Sequence, residues 1–145
     1  MNRLVVDASV VVKWLLPERD GEADADRALA LLGALRRGTA LVVQPPHWLA
    51  EVAAVLARLS PASALEDVAD LSRLGFATEG DLAVLLTACE LAIDLGQHVF
   101  DTMYHAVALN TERCTLVTAD RRYYRKARSL GGIVLLADFD PELAR

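Results

Sequence analysis

The sequence predicts a three-layer α/β/α fold built on a mostly parallel central sheet of four or five strands. Short, almost continuously apolar runs read as strands buried on both faces: RLVVD at 3–7, LVVQ at 41–44, CTLVT at 114–118 and IVLLA at 133–137. Longer segments of helical spacing separate them, and that alternation makes a parallel sheet covered on both sides. In such sheets ligands lie beyond the carboxyl ends of the strands. Asp7 ends the first run and Asp120 follows the third.

Each element has a local reason. Residues 8–16 continue from the first strand as a helix that Pro17 stops. Residues 21–37 read as a helix with Leu29, Leu32 and Leu35 near one face, and Gly38 ends it. Pro45 and Pro46 open a helix to about Leu59, since proline suits a first helical turn. Pro61 separates it from a further helix at 62–74, and 76–77 is the one remaining strand candidate. Thr78 and Asp81 mark the start of a long helix to Leu95, with Leu82, Leu85, Leu86, Cys89 and Ile93 at helical spacing, closed by Gly96. Helices at 101–110, with Met103, Ala106 and Val107 for packing, and at 121–130 flank the third strand.

The chain has 145 residues, with 15 Lys and Arg against 20 Asp and Glu, a net charge of −5 and 54% hydrophobic residues. That length and content predict one domain over 1–145 and exclude a disordered chain. Mean hydropathy is +0.29, yet no run of about 18 apolar residues exists to span a membrane. The stretch 1–16 carries Asp7 and Lys13 within its apolar part and lacks a small-residue cleavage pattern, so it is not read as a signal peptide. Two distant cysteines, Cys89 and Cys114, predict a reducing, cytoplasmic setting. The acidic balance argues against coating nucleic acid by charge alone.

Asp7 is a lone acid between Val5-Val6 and Val10–Val12. An unpaired carboxylate buried there costs several kcal/mol or takes up a proton. A cation or a hydrogen-bonding turn must compensate. Each acid also has an ordinary alternative: Asp7, Asp101 and Asp120 can all cap helices. Glu51 falls at the edge of an apolar face formed by Trp48, Leu49, Val52, Val55, Leu56 and Leu59, near Arg58, where a solvated border residue is expected. If the aspartates converge on one sheet, their repulsion calls for bound protons or a metal, and oxygen-only ligation suits Mg²⁺, with Mn²⁺ as substitute. No zinc-ligand spacing, phosphate-binding glycine loop or nucleophile elbow is present, and His47, His98 and His105 are dispersed.

Four segments, VVDASVVVKWLLPE at 5–18, PPHWLAEVAAVLAR at 45–58, VFDTMYHAVAL at 99–109 and LVTADRRYYRKA at 116–127, together resemble the PIN-domain ribonucleases. More narrowly, they resemble the VapC-type toxins of toxin–antitoxin pairs. Their acids follow the family order, spaced 44, 50 and 19 residues apart. The resemblance implies that Asp7, Glu51, Asp101 and Asp120 are catalytic and hold the metal, with Ser9 and Thr118 supporting them. It implies Mg²⁺-dependent endoribonuclease activity leaving a 5′-phosphate and a 3′-hydroxyl. It further implies a small cognate antitoxin and a homodimer, while the lack of an apolar span predicts no membrane partner. Lys13, Arg121, Arg122 and Arg125 become candidates for contacts to RNA phosphates, with a solvated helix face as the alternative, and Trp14, Leu15 and Leu16 either line an antitoxin groove or pack into the chain's own core. Tyr123 and Tyr124 are candidates for base stacking or core packing, and Asp138, outside the motif, is a surface residue.

Other readings are an RNA-maturation nuclease outside a toxin pair and a PIN-like binding module without catalysis; four intact acids count against the latter. A haloacid-type phosphatase wants an aspartate two residues after Asp7, where Ser9 stands, and a receiver domain wants an acidic pair before it.

Overall fold

In a computed structural model of the chain, residues 2–16 and 24–141 are described. Five strands form one parallel sheet in the order β3-β2-β1-β4-β5: β1 (Arg3–Val6), β2 (Leu41–Gln44), β3 (Ala77–Thr78), β4 (Cys114–Thr118) and β5 (Ile133–Leu135). Seven α-helices flank it among the described residues: α1 (Ala8–Leu15), α2 (Ala25–Arg36), α3 (Trp48–Leu59), α4 (Ala64–Ser72), α5 (Leu82–Leu95), α6 (Val99–Asn110) and α7 (Arg121–Ala127). The predicted α/β class and parallel sheet are what the chain adopts, and the faint signal at 76–77 corresponds to β3.

Strand order determines where the sheet opens. The chain steps from β1 to β2 to β3 in one direction, then crosses back over β1 to β4. Right-handed crossovers therefore put α1–α4 on one face and α5–α7 on the other, which makes three layers. The direction reverses between β1 and β4, and the crevice at such a reversal is where open α/β sheets bind ligands. β1 and β4 run in register from Arg3 opposite Cys114 to Val6 opposite Val117, so their carboxyl ends stand side by side. Val5, Val6, Leu116 and Val117 are fully or almost fully buried, as near-continuous apolar strands require.

Several boundaries and faces differ from expectation. α3 starts at Trp48, because Pro45 and Pro46 form the turn before it rather than its first turn. α6 starts at Val99, so Asp101 lies inside its first turn and His98 holds the cap position. α7 ends at Ala127 and tightens into a 3₁₀ turn at Arg128–Leu130, and β5 ends at Leu135 before a similar turn at Leu136–Asp138. α2 buries Ala28, Leu31 and Ala34 while Leu29 is exposed. The predicted stop at Pro17 and helix start at 21–23 lie outside the described residues.

The largest departure is α5. Leu82, Leu85, Leu86, Cys89 and Ile93, the apolar set at helical spacing, are all exposed, and Val84, Ala88 and Leu91 are buried instead. Both faces carry apolar residues at helical spacing, so periodicity alone cannot choose between them. Close approach to α6 chooses: small Ala88 lets the buried Thr102 hydroxyl donate to the Ala88 carbonyl at 2.7 Å. Trp14 takes the core alternative, its indole N–H donating 2.8 Å to the Ala28 carbonyl of α2.

Candidate active site

The β1 and β4 ends are joined by a small hydrogen-bond web that fixes Asp7. Asp7 N donates to the Val117 carbonyl at 3.0 Å, which extends the β1–β4 ladder by one residue. Its carboxylate caps α1, with Oδ2 accepting from Ser9 N at 3.3 Å. The Ser9 hydroxyl also donates to Oδ2, and Thr118 Oγ1 donates to it at 3.3 Å. The same two hydroxyls accept from the other strand's turn: Ala119 N reaches Ser9 Oγ at 3.1 Å, and Asp120 N reaches Thr118 Oγ1 at 3.0 Å. Asp120 caps α7 through Oδ1, which accepts from Tyr123 N at 3.0 Å. The capping alternatives for Asp7 and Asp120 are therefore realised, and they aim both acids at the same crevice.

A cleft of about 410 Å³ opens there. Asp7, Glu51, Asp101 and Asp120 all line it, with Ser9, Thr118, Lys13, Arg58 and Tyr123. Residues 44, 50 and 19 positions apart in sequence thus share one wall of the molecule. Of the basic candidates only Lys13 lines the cleft, and it is buried. Arg121, Arg122 and Arg125 are exposed on α7 outside the lining. Arg58, one face of α3 along from Glu51, takes their place at the cleft wall. Tyr123 is buried, and Asp138 is exposed as expected.

Electrostatics show how crowded the acids are. The Asp7 carboxyl is pushed up to about 6, by burial first and then by Glu51 and Asp120, against the lowering effect of the Ser9 hydrogen bonds. Asp101 is raised by burial and then by Glu51, with His98 opposing. Tyr104, fully buried beside them, is held protonated first by burial and then by Glu51.

The donor set is all oxygen, which suits a hard divalent cation. Among the described residues, no three Asp, Glu, His or Cys side chains are placed to hold one ion directly. Mg²⁺ tolerates this, because it usually keeps several waters and takes only one or two carboxylates. On the Asp7 side, Oδ1 accepts none of the hydrogen bonds among the described residues, while Oδ2 accepts three. The residues therefore fit a partly hydrated ion.

Two polar residues that sequence reasoning passed over shape the cleft. β2 pairs with β1 only as far as Leu4 opposite Val42. Where the strands part, the buried Gln44 amide takes over the ladder: its Oε1 accepts from Val6 N and its Nε2 donates to Val6 O, both at 2.8 Å. That leaves room beyond Val6 for the Asp7 turn without orphaning a backbone group. His47, at the cap of α3, stands 3.3 Å from Glu51 Oε2. The only available signal was its place one helical turn before Glu51.

A larger cleft of about 760 Å³ lies at the amino ends of β1 and β2, near Arg3, Leu41 and Glu112. Its Asp81 is spent on capping α5 through Val84 N at 3.0 Å. No hydroxyl web backs its acids among the described hydrogen bonds.

No helix among the described residues is long and apolar enough to cross a membrane. A family model for the PIN domain matches residues 4–129. No curated protein matches the chain.

Proposed function

Because the chain belongs to the PIN-domain family, a family of nucleases that typically depend on a divalent metal, we propose that it is a Mg²⁺-dependent endoribonuclease and the toxin of a toxin–antitoxin pair. The observation that carries the reading is the meeting of Asp7, Glu51, Asp101 and Asp120 on one cleft at the reversal point between β1 and β4.

Asp7, Asp101 and Asp120 would hold the cation directly or through water, with Glu51 holding it or orienting the attacking water. When bound, Mg²⁺ or Mn²⁺ activates a water for attack on phosphorus and neutralises phosphate charge as the bond breaks. Ser9 and Thr118 keep Asp7 Oδ2 fixed so that the remaining carboxylate oxygen faces its task in one orientation. Lys13 and Arg58 supply positive charge at the cleft wall and hold the phosphates beside the scissile one. Arg121, Arg122 and Arg125 serve RNA farther from the cut.

Purified protein with Mg²⁺ should cut single-stranded RNA internally, and the fragments should be digested by a 5′-monophosphate-dependent exonuclease. Fragments resistant to that exonuclease, or no cleavage of any RNA offered, would remove the reading. Expression should arrest growth, and co-expression of the neighbouring small open reading frame should relieve it; growth arrest without such relief would leave the nuclease outside a toxin pair.

The partners proposed are RNA, a small antitoxin and a second copy of the chain. Leu82, Leu86 and Ile93 are 69%, 57% and 76% exposed on α5. They form a single uncharged stripe that a twofold-related copy can cover with its own. Sedimentation should find a dimer that Leu86→Glu dissociates, and an unchanged dimer in that variant would place the contact elsewhere.

A further inference from the structure

Building on the nuclease reading, we propose that His47 is a positioning residue that fixes the Glu51 carboxylate relative to the helix carrying Asp101. α3 and α6 come from distant parts of the chain; Glu51 and Asp101 stand in their first turns, and α3 lines the cleft onward to Leu59. Glu51 and Asp101 therefore depend on whatever joins those two turns.

His47 joins them. Its Nε2 lies 2.8 Å from the Phe100 carbonyl, the residue before Asp101, and 3.3 Å from Glu51 Oε2. Both partners are acceptors, so the hydrogen-bond network assigns the proton to Nε2. The backbone repeats the link on the α3 side, where Glu51 N donates to the His47 carbonyl at 3.0 Å. Two rings of α6 hold the imidazole in place: Phe100 with centroids 5.3 Å apart, and Tyr104 edge-on at 5.1 Å. A ring clamped this way presents its N–H in one direction at little entropic cost.

The surroundings were arranged around this contact at some expense. Among the described residues, His47 Nδ1 is buried without a hydrogen-bond partner. Leaving polar atoms bare is unfavourable, so packing that served stability alone would not favour a histidine here. What the histidine adds over a phenylalanine is the Nε2–H, which donates to the Phe100 carbonyl of α6 while Nε2 stands 3.3 Å from the Glu51 carboxylate.

His47→Phe keeps a ring between Phe100 and Tyr104 and removes the N–H, whereas His47→Gln returns an N–H without the ring. In His47→Phe we expect kcat to fall about tenfold, as for loss of a partner that orients a ligand, with KM and the thermal midpoint nearly unchanged. His47→Gln should recover most of the loss. In a crystal structure of His47→Phe, the Glu51 side chain should no longer occupy one position. Cleavage at the wild-type rate in His47→Phe, or Glu51 unmoved in that crystal, overturns the proposal. Glu51→Gln separates the two ideas. If that variant cleaves like wild type, the nuclease site is misassigned, and the Glu51 conformation in His47→Phe then decides the positioning role alone.

Discussion

Asp7→Asn should lower RNA cleavage by about a thousandfold, the order expected when several kcal/mol of transition-state stabilisation are lost, while leaving the fold intact. The amide keeps the size of the carboxyl group and can still accept from Ser9 and Thr118 at the Oδ2 position. What it loses is the charge that binds a cation. The same change should stabilise the metal-free protein. Burial, Glu51 and Asp120 raise the Asp7 carboxyl from 3.8 to about 6. For an acid raised on folding, ionisation opposes the fold, so stability is lost as pH climbs through the interval between those values and stays lost above it. The shift corresponds to about 3 kcal/mol as an upper figure. In EDTA, wild-type stability should therefore decline from pH 4 to pH 6.5 more steeply than that of Asp7→Asn, as urea unfolding would show. Equal slopes would mean that Asp7 is not a strained carboxylate, and undiminished cleavage would take it out of the site.

Chelation should be equally severe. EDTA should stop cleavage, and either Mg²⁺ or Mn²⁺ should restore it, because four carboxylates facing one cleft leave phosphate without a neutralising partner. Lys13 and Arg58 do not balance that charge by themselves. The metal should also act on the fold. A ligand at a hundred times its Kd stabilises the native state by about 2.7 kcal/mol, so Mg²⁺ should raise the thermal midpoint of wild type and raise that of Asp7→Asn far less. Cleavage that survives EDTA would point to a mechanism without metal and would sever the link between the acidic cluster and catalysis.

Asp7 and Asp120 could be found from the sequence because position along a strand is itself geometric information. An acid at the carboxyl end of a buried parallel strand has one place to go, and β1 and β4 happen to be neighbours in the sheet. Glu51 and Asp101 lie on helices, where spacing gives only a face. Periodicity put Glu51 at a solvated border, and the family resemblance alone raised it. Asp101 was thought able to cap its helix, yet α6 begins two residues earlier. Gln44 and His47 were passed over for a different reason. Their partners lie 38 and 53 residues away, and no local pattern encodes such contacts. Arg121, Arg122 and Arg125 drew attention as a basic run, whereas Arg58, isolated on α3, is the arginine at the cleft.

Alternating apolar strands and helices, read along the chain, determined the layered class, the parallel sheet and the acids at its strand ends, because burial on two faces and helix capping are local demands that each segment states for itself. Which face of α5 would be buried was decided only when α6 packed against it, and which helix His47 would bind and which basic side chains would reach the cleft only when distant segments met. Those choices depend on competition between surfaces of similar hydropathy and on side chains meeting from distant segments, and such competition is resolved in three dimensions alone.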